Sequence, residues 1–210
     1  MACSALRSVA DEVDRFLPRT QEVTEKPAGG RDLNAGRKSG PLFQIINAWK
    51  HSQVIAAIAQ SEKIIRDIVA FLDPQELRLW HDQILVKPPR VGGEYPWHQD
   101  CASWRYLGDE GVVITAWVAL DTVNEDNGAM EMVEGSHRWE RRCDLLQGTR
   151  KTGILPRMVL NEPVITKTCA LPQGHVHYHH WHTWHKSSAN RSPNWRRAIA
   201  LHYMTERTPF

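Results

Sequence analysis

A chain of 210 residues is long enough to bury one sizeable core, and its 26 basic and 24 acidic side chains leave a formal net charge of only +2. That balance excludes a whole-chain field drawing the protein to nucleic acid or to an anionic membrane, so partners must be recognised locally. The four cysteines, Cys3, Cys101, Cys143 and Cys169, contain no CxxC pair, which argues against a disulfide framework or a thiolate zinc site and for a reduced intracellular chain.

The first residues, MACSALRSVADEVDRFL, suit an N-terminal helix and carry Asp11, Glu12 and Asp14 where a secretory leader would be apolar. No apolar run approaches the roughly 20 residues of a membrane span. The expectation is a soluble, cytoplasmic protein with no membrane partner. From Val23 to Gly40 the chain is rich in Gly, Lys and Arg with little to bury, and it reads as a mobile loop. Residues 42 to 81 are expected to form two or three helices as a layer. Ile55, Ile58, Ile65, Ile68, Val69 and Leu72 recur at helical spacing, Ser52 is a candidate N-cap, and Asp73, Pro74 and Glu76 spell a further helix start.

Beyond residue 82 the pattern changes to short β-rich runs. QILVKPP, VVITAWVAL, MEMVEG, GHVHYHHWH and RRAIALHYM are separated by turn signals such as VGGE, EDNG and ANRSPN. Gly128 and Gly135 suit turn positions with positive φ. Helices followed by spaced strands predict one α+β domain over residues 1–210: a helix and loop to residue 41, a helical layer over 42–81, and a β-sandwich or barrel over 82–210 carrying the site. No GxGxxG or GxxxxGK[ST] motif supports nucleotide-phosphate chemistry.

Three stretches carry chemistry. In WHQD, His98 and Asp100 stand two apart at a strand end, so an imidazole and a carboxylate share one face. With a second histidine from a neighbouring strand they would form the two-histidine, one-carboxylate triad of non-haem iron oxygenases, although HxD alone is short enough to arise by chance. HYHHWHTWH offers His177, His179, His180, His182 and His185 as that second histidine, and its residue types alone do not choose among them. In WRRAIALHY, Arg196, Ala198, Ala200 and His202 share one strand face and Arg197, Ile199, Leu201 and Tyr203 the other. The apolar face should pack on helices, which turns Arg196 into a lumen where its planar fork suits a carboxylate; an exposed edge-strand arginine fits Arg197 better. Gln83 and Lys87 lie on the strand before WHQD, and Gln83 could reach a ligand. Trp97, Trp104, Tyr106, Trp139 and Trp181 divide between core and pocket walls, and His137 is expected to shape a turn.

Taken in order, WHQD, ITAWVALDTVNEDNGAMEMVEGSHR and WHKSSANRSPNWRRAIALHY resemble the phytanoyl-coenzyme A dioxygenase family of Fe(II)- and 2-oxoglutarate-dependent oxygenases over residues 83 to 206. Residues 1 to 80 are less informative: the apolar strand that usually opens such proteins is not recognisable there, so this part of the fold is expected to be either shortened or rebuilt. The resemblance implies a double-stranded β-helix, or jelly roll, and a metal held by His98, Asp100 and His185, because only His185 is followed by a small polar segment, an Asn-containing turn and a strand beginning with arginine. It places Arg196, Ser187 and Trp117 around the 2-oxoglutarate co-substrate, with Gln83 a further candidate. His179 and His180 then pack or line the pocket, and His175, His177 and His182 are ordinary surface or packing residues. The implied activity is hydroxylation of a small molecule using O₂, with release of succinate and CO₂. The alternative is a non-catalytic protein of the same fold binding Zn²⁺, Ni²⁺ or a small molecule. Such a protein would have no use for a co-substrate arginine.

Overall fold

The computed structural model describes residues 3–16, 30–108 and 110–208. Helix α1 (Cys3–Phe16) is followed by a two-residue strand, β1 (Arg31–Asp32), which pairs antiparallel with β2 (Phe43–Ile46). Within the stretch read as a loop, residues 23–29 lie outside the described residues, whereas 30–40 closes a hairpin. Asp32 Oδ1 accepts from the backbone N–H groups of Asn34 and Leu42, and the Asn34 amide donates to the carbonyls of Gly40 and Glu94. Polar side chains hold this turn, so a search for apolar burial does not find it.

The expected helical layer over 42–81 is corrected at both ends. Phe43–Ile46 is a strand within residues 1 to 80, where the sequence shows no recognisable apolar strand. Only α2 (Gln53–Ala59) and α3 (Glu62–Leu72) are α-helices, and β3 (Leu77–Lys87) begins at Leu77. The Ser52 hydroxyl caps α2 by accepting from the Ile55 N–H at 3.4 Å. Asp73 starts no helix; it ends α3 in the left-handed region at φ 43°. An Asp-Pro step serves a helix start or a turn equally well, and here alternation with two strand neighbours wins the following residues for the sheet. Ile55, Ile58 and Ile68 are buried as expected, but Ile65 and Val69 are 37% and 41% exposed and Ile64 packs inward instead.

The remaining elements are β4 (Tyr95–His98), β5 (Val113–Ala119), β6 (Met130–Val133), α4 (Cys143–Thr152), β7 (Met158–Val159), β8 (Glu162–Pro163), β9 (Thr166–Cys169), β10 (Val176–His180), β11 (His185–Ser187) and β12 (Arg196–Thr205). Two larger antiparallel sheets result, ordered β1-β2-β3-β12-β5-β10 and β4-β11-β6-β9, beside a small β7-β8 ribbon. One face of the six-stranded sheet is apolar. Phe43, Ile45, Ile84, Val86, Val118, Ile199, Leu201 and Tyr203 pack there with Val9, Val13, Ile55, Ile58, Ile64 and Ile68 of the helices. Its other face meets the second sheet through Trp117, Ala119, Ala198 and Ala200 against Met130 and Met132. Helices thus cover one side of the large sheet and the smaller sheet covers the other.

Register aligns the inward side chains in rows. His81, His202, Thr115 and His179 stand across β3, β12, β5 and β10, and Gln83, Ala200, Trp117 and His177 form the next row. Lys87 stands opposite Arg196 at the far end. Among the described residues, no helix is long and apolar enough to cross a membrane.

Candidate metal centre

β4 and β11 are adjacent, and His98 and His185 face each other directly across them. His98 Nδ1 lies 2.9 Å from the Pro96 carbonyl, and His185 Nδ1 lies 2.9 Å from the Thr183 carbonyl. A carbonyl only accepts, so each ring carries its proton on Nδ1 and turns the Nε2 lone pair the other way. Both Nε2 atoms are 3.6 Å from Oδ1 of Asp100, which opens the 3-10 turn Asp100–Ala102 just after β4. One donor atom from each of the three residues falls in a group spanning no more than 4.8 Å. Two imidazole lone pairs and a carboxylate converging in this way form a donor set suited to Fe(II) with positions left open.

The electrostatics agree. Burial, together with the nearby His98 ring, holds His185 well below the usual imidazole range and therefore neutral. Burial alone would raise the Asp100 carboxyl, but the surrounding imidazoles of His185, His179 and His98 hold it well below the usual carboxylate range. Neutral imidazole and anionic carboxylate are the forms that bind a cation.

These three residues line one cavity together with Gln83, Trp117, Ser187 and Arg196. Arg196 is 2% exposed, with its Cζ 5.6 Å from the centre of the Trp117 ring. Its Nε is buried with no hydrogen-bond partner among the described residues. Burial lowers the guanidinium to about 10, against the attraction of Asp121, which leaves it charged at neutral pH. A buried cationic fork with an idle donor fits an oxyanion. Arg197 projects from the other face and donates to Asp121 at 2.7 and 3.0 Å and to Asp14 at 2.6 Å. It is not the exposed edge-strand arginine expected, because β12 lies inside its sheet and Arg197 answers two carboxylates.

Lys87 is the residue that sequence reasoning undervalued. It is fully buried, and its Nζ donates to Ser187 Oγ at 2.8 Å and also to the Ser188 carbonyl. Burial, then the neighbouring Arg196, pushes its ammonium well below the ordinary value, with Glu94 opposing. Its alternation with Gln83 and Leu85 is a usable signal, since a lysine on the inward face of a strand needs a reason to be there. Gly128 permits the arrangement: its φ is 91°, and a Cβ there would stand 2.5 Å from the Ser188 carbonyl oxygen.

Among the other histidines, His179 lines the cavity with Nε2 3.4 Å from Asp100 Oδ2, while His180 lies outside the lining, near His137 and His182. His177 Nε2 meets the Met132 sulfur at 3.0 Å, His175 is exposed, and His182 is buried against Trp181. Trp104 is a pocket wall, whereas Trp97, Trp139 and Trp181 are core and Tyr106 is 71% exposed. His137 sits in an exposed turn after Gly135.

A family model described as phytanoyl-CoA dioxygenase (PhyH) matches residues 2–198. The probable alpha-ketoglutarate-dependent hypophosphite dioxygenase of Stutzerimonas stutzeri is 27% identical over 224 residues, covering 92% of this chain and 71% of that protein. Phytanoyl-CoA dioxygenase domain-containing protein 1 of Mus musculus is 26% identical over 202 residues, covering 94% of this chain and 63% of that protein, so this chain spans less than two thirds of its length. EvdO2 from Micromonospora carbonacea var. aurantiaca, solved in complex with 2-oxoglutarate, superposes with a TM-score of 0.69 at 28% identity over 96% of this chain and 82% of its own.

Proposed function

The chain belongs to the phytanoyl-CoA dioxygenase (PhyH) family, and from that premise we propose that it is an Fe(II)- and 2-oxoglutarate-dependent dioxygenase that hydroxylates a small molecule, releasing succinate and CO₂. The observation that carries this reading is one cavity holding both the His98, Asp100 and His185 cluster and a buried Arg196 whose Nε has no partner among the described residues. The jelly-roll reading of the fold belongs to the same proposal, supported by two antiparallel sheets enclosing the site and by the likeness to EvdO2.

Fe(II) bound with 2-oxoglutarate supplies O₂ activation coupled to oxidative decarboxylation. His98 Nε2, His185 Nε2 and an Asp100 oxygen hold the metal, and the Pro96 and Thr183 carbonyls keep both rings turned toward it. Arg196 and Ser187 take the distal carboxylate of 2-oxoglutarate, with Trp117 against the guanidinium. A purely metal-sequestering protein leaves the buried Arg196 without a purpose. The test is succinate release from 2-oxoglutarate after Fe(II) loading and admission of O₂, across a panel of small organic substrates. An iron-loaded protein that forms no succinate, with or without any of them, counts against the oxygenase reading.

Lys87 should tune this clamp. Because the Ser187 oxygen accepts from Lys87, the Ser187 proton is left to point into the cavity as a donor. Lys87→Met is expected to weaken 2-oxoglutarate binding by about tenfold, the worth of one hydrogen bond to a charged group. Pyruvate, which lacks the distal carboxylate, should bind as before. Calorimetric titration of the Mn²⁺-loaded protein without O₂ measures both, and an equal loss for the two acids would refute the assignment.

A further inference from the structure

The metal cluster and Arg196 account for one part of the cavity, but its wall also carries Arg31, Gln44 and Gln83. These residues form a directed chain. Arg31 Nε donates to Gln44 Oε1 at 2.6 Å, Gln44 Nε2 donates to Gln83 Oε1 at 2.6 Å, and Gln83 Nε2 meets His81 Nε2 at 2.9 Å. A guanidinium can only donate, so it sets the orientation of the Gln44 amide; that amide sets Gln83, and His81 is left to accept through Nε2. The Arg31 side chain is therefore seated on the wall by its Nε, at the end of a chain rooted in buried Gln44 and His81. Its two terminal nitrogens make no hydrogen bond or ion pair among the described residues.

Charge decides what those nitrogens are for. Among the described residues the cavity lining holds three cations, Arg31, Lys186 and Arg196, and one carboxylate, Asp100. Lys186 is answered by Glu131 at 3.2 Å. On the oxygenase reading, doubly charged iron and doubly charged 2-oxoglutarate cancel, as do Asp100 and Arg196. Among these lining charges Arg31 is left over. Arg31 is exposed to solvent where it lines the cavity, so an anion can reach it from solution, and positive charge left over along that lining favours one there.

We propose that the primary substrate is a small organic monoanion whose carboxylate is taken by the terminal nitrogens of Arg31, with its carbon skeleton lying along Leu33, Leu42, Leu85 and Tyr95. Arg31 is then a specificity-determining residue distinct from the co-substrate arginine. The β1–β2 pairing, which sets Arg31 directly opposite Gln44, is the device that brings it to the cavity.

The test uses the full chain loaded with Mn²⁺ and saturated with 2-oxoglutarate in the absence of O₂. The probes are butyrate, hexanoate and 3-phenylpropionate, each paired with its primary amide, which keeps the shape and removes the charge. At least one acid should bind about tenfold or more tightly than its amide, as read by calorimetry and by relaxation of probe protons near Mn²⁺. Arg31→Gln should abolish that preference while leaving amide and 2-oxoglutarate affinities unchanged. Equal binding of acids and amides, binding of none of them, or a preference that survives Arg31→Gln overturns the proposal. Weakened 2-oxoglutarate binding in Arg31→Gln overturns it too, since Arg31 would then serve the co-substrate, with the oxygenase reading intact. If the unsubstituted protein takes up no 2-oxoglutarate at all, the oxygenase reading itself fails and the proposal falls with it.

Discussion

Asp100→Ala is expected to release the iron. Asp100 is the only carboxylate in the cavity lining among the described residues, and its Oδ1 sits 3.6 Å from both His98 Nε2 and His185 Nε2. Without it, two neutral imidazoles must hold a dication with no compensating charge, close to the cationic Arg196. Outer-shell partners of metal ligands alone are typically worth about 10- to 100-fold in affinity, so loss of the ligand itself should cost about 100-fold or more. His98→Ala and His185→Ala should show comparable losses. His179→Ala is the informative control: its Nε2 is 3.4 Å from the other Asp100 oxygen, so it orients the carboxylate, and its loss should weaken binding by less than about tenfold. His182→Ala should change nothing. The measurement is Fe(II) per chain after desalting, by chelator absorbance. Full retention in Asp100→Ala alongside loss in His179→Ala would move the metal to a different donor set.

Arg196→Ala is expected to weaken 2-oxoglutarate binding by about 30-fold or more. Truncating one partner of a buried, hydrogen-bonded charge pair costs on the order of 2 to 5 kcal/mol, and the lower end of that range already exceeds a factor of about 20 in the dissociation constant. Arg197→Ala should leave 2-oxoglutarate affinity unchanged and lower stability by about 1.5–3 kcal/mol, because it removes a two-point, charge-assisted contact to a partly buried Asp121. Calorimetry on Mn²⁺-loaded protein and thermal denaturation separate the two effects. If Arg197→Ala costs more co-substrate affinity than Arg196→Ala, the lumen-facing assignment of Arg196 fails.

Several of these features are legible in the chain's local pattern. Period-two alternation reaches only from one residue to the next but one, so WRRAIALHY by itself separates the inward set Arg196, Ala198, Ala200 and His202 from the outward set Ile199, Leu201 and Tyr203, and the helices do cover the outward set. Likewise, Ser52 as a cap and Gly128 and Gly135 as positive-φ positions follow from chemistry that reaches no further than a few residues. Residues 42–81 are the less legible part. There the helical spacing of Ile55 to Leu72 invites extension over flanking segments that instead have a β3 or β12 neighbour to pair with, and such pairing leaves no mark on a single strand's own sequence.

Sequence by itself thus determined which side chains share a face, where the polar punctuation falls, and that an HxD step and a histidine-rich strand lie far apart along the chain. Only the tertiary structure decided which of those faces meet. Cross-strand register sets His185 opposite His98, stands Lys87 beside Arg196, and carries Arg31 through the β1–β2 hairpin to the wall of the same cavity. The physical reason is that alternation and capping are short-range, set by backbone geometry within a few residues, whereas register is a many-strand compromise of hydrogen bonding and burial. It is settled only when the helices cover one face of the large sheet and the smaller sheet closes over the other.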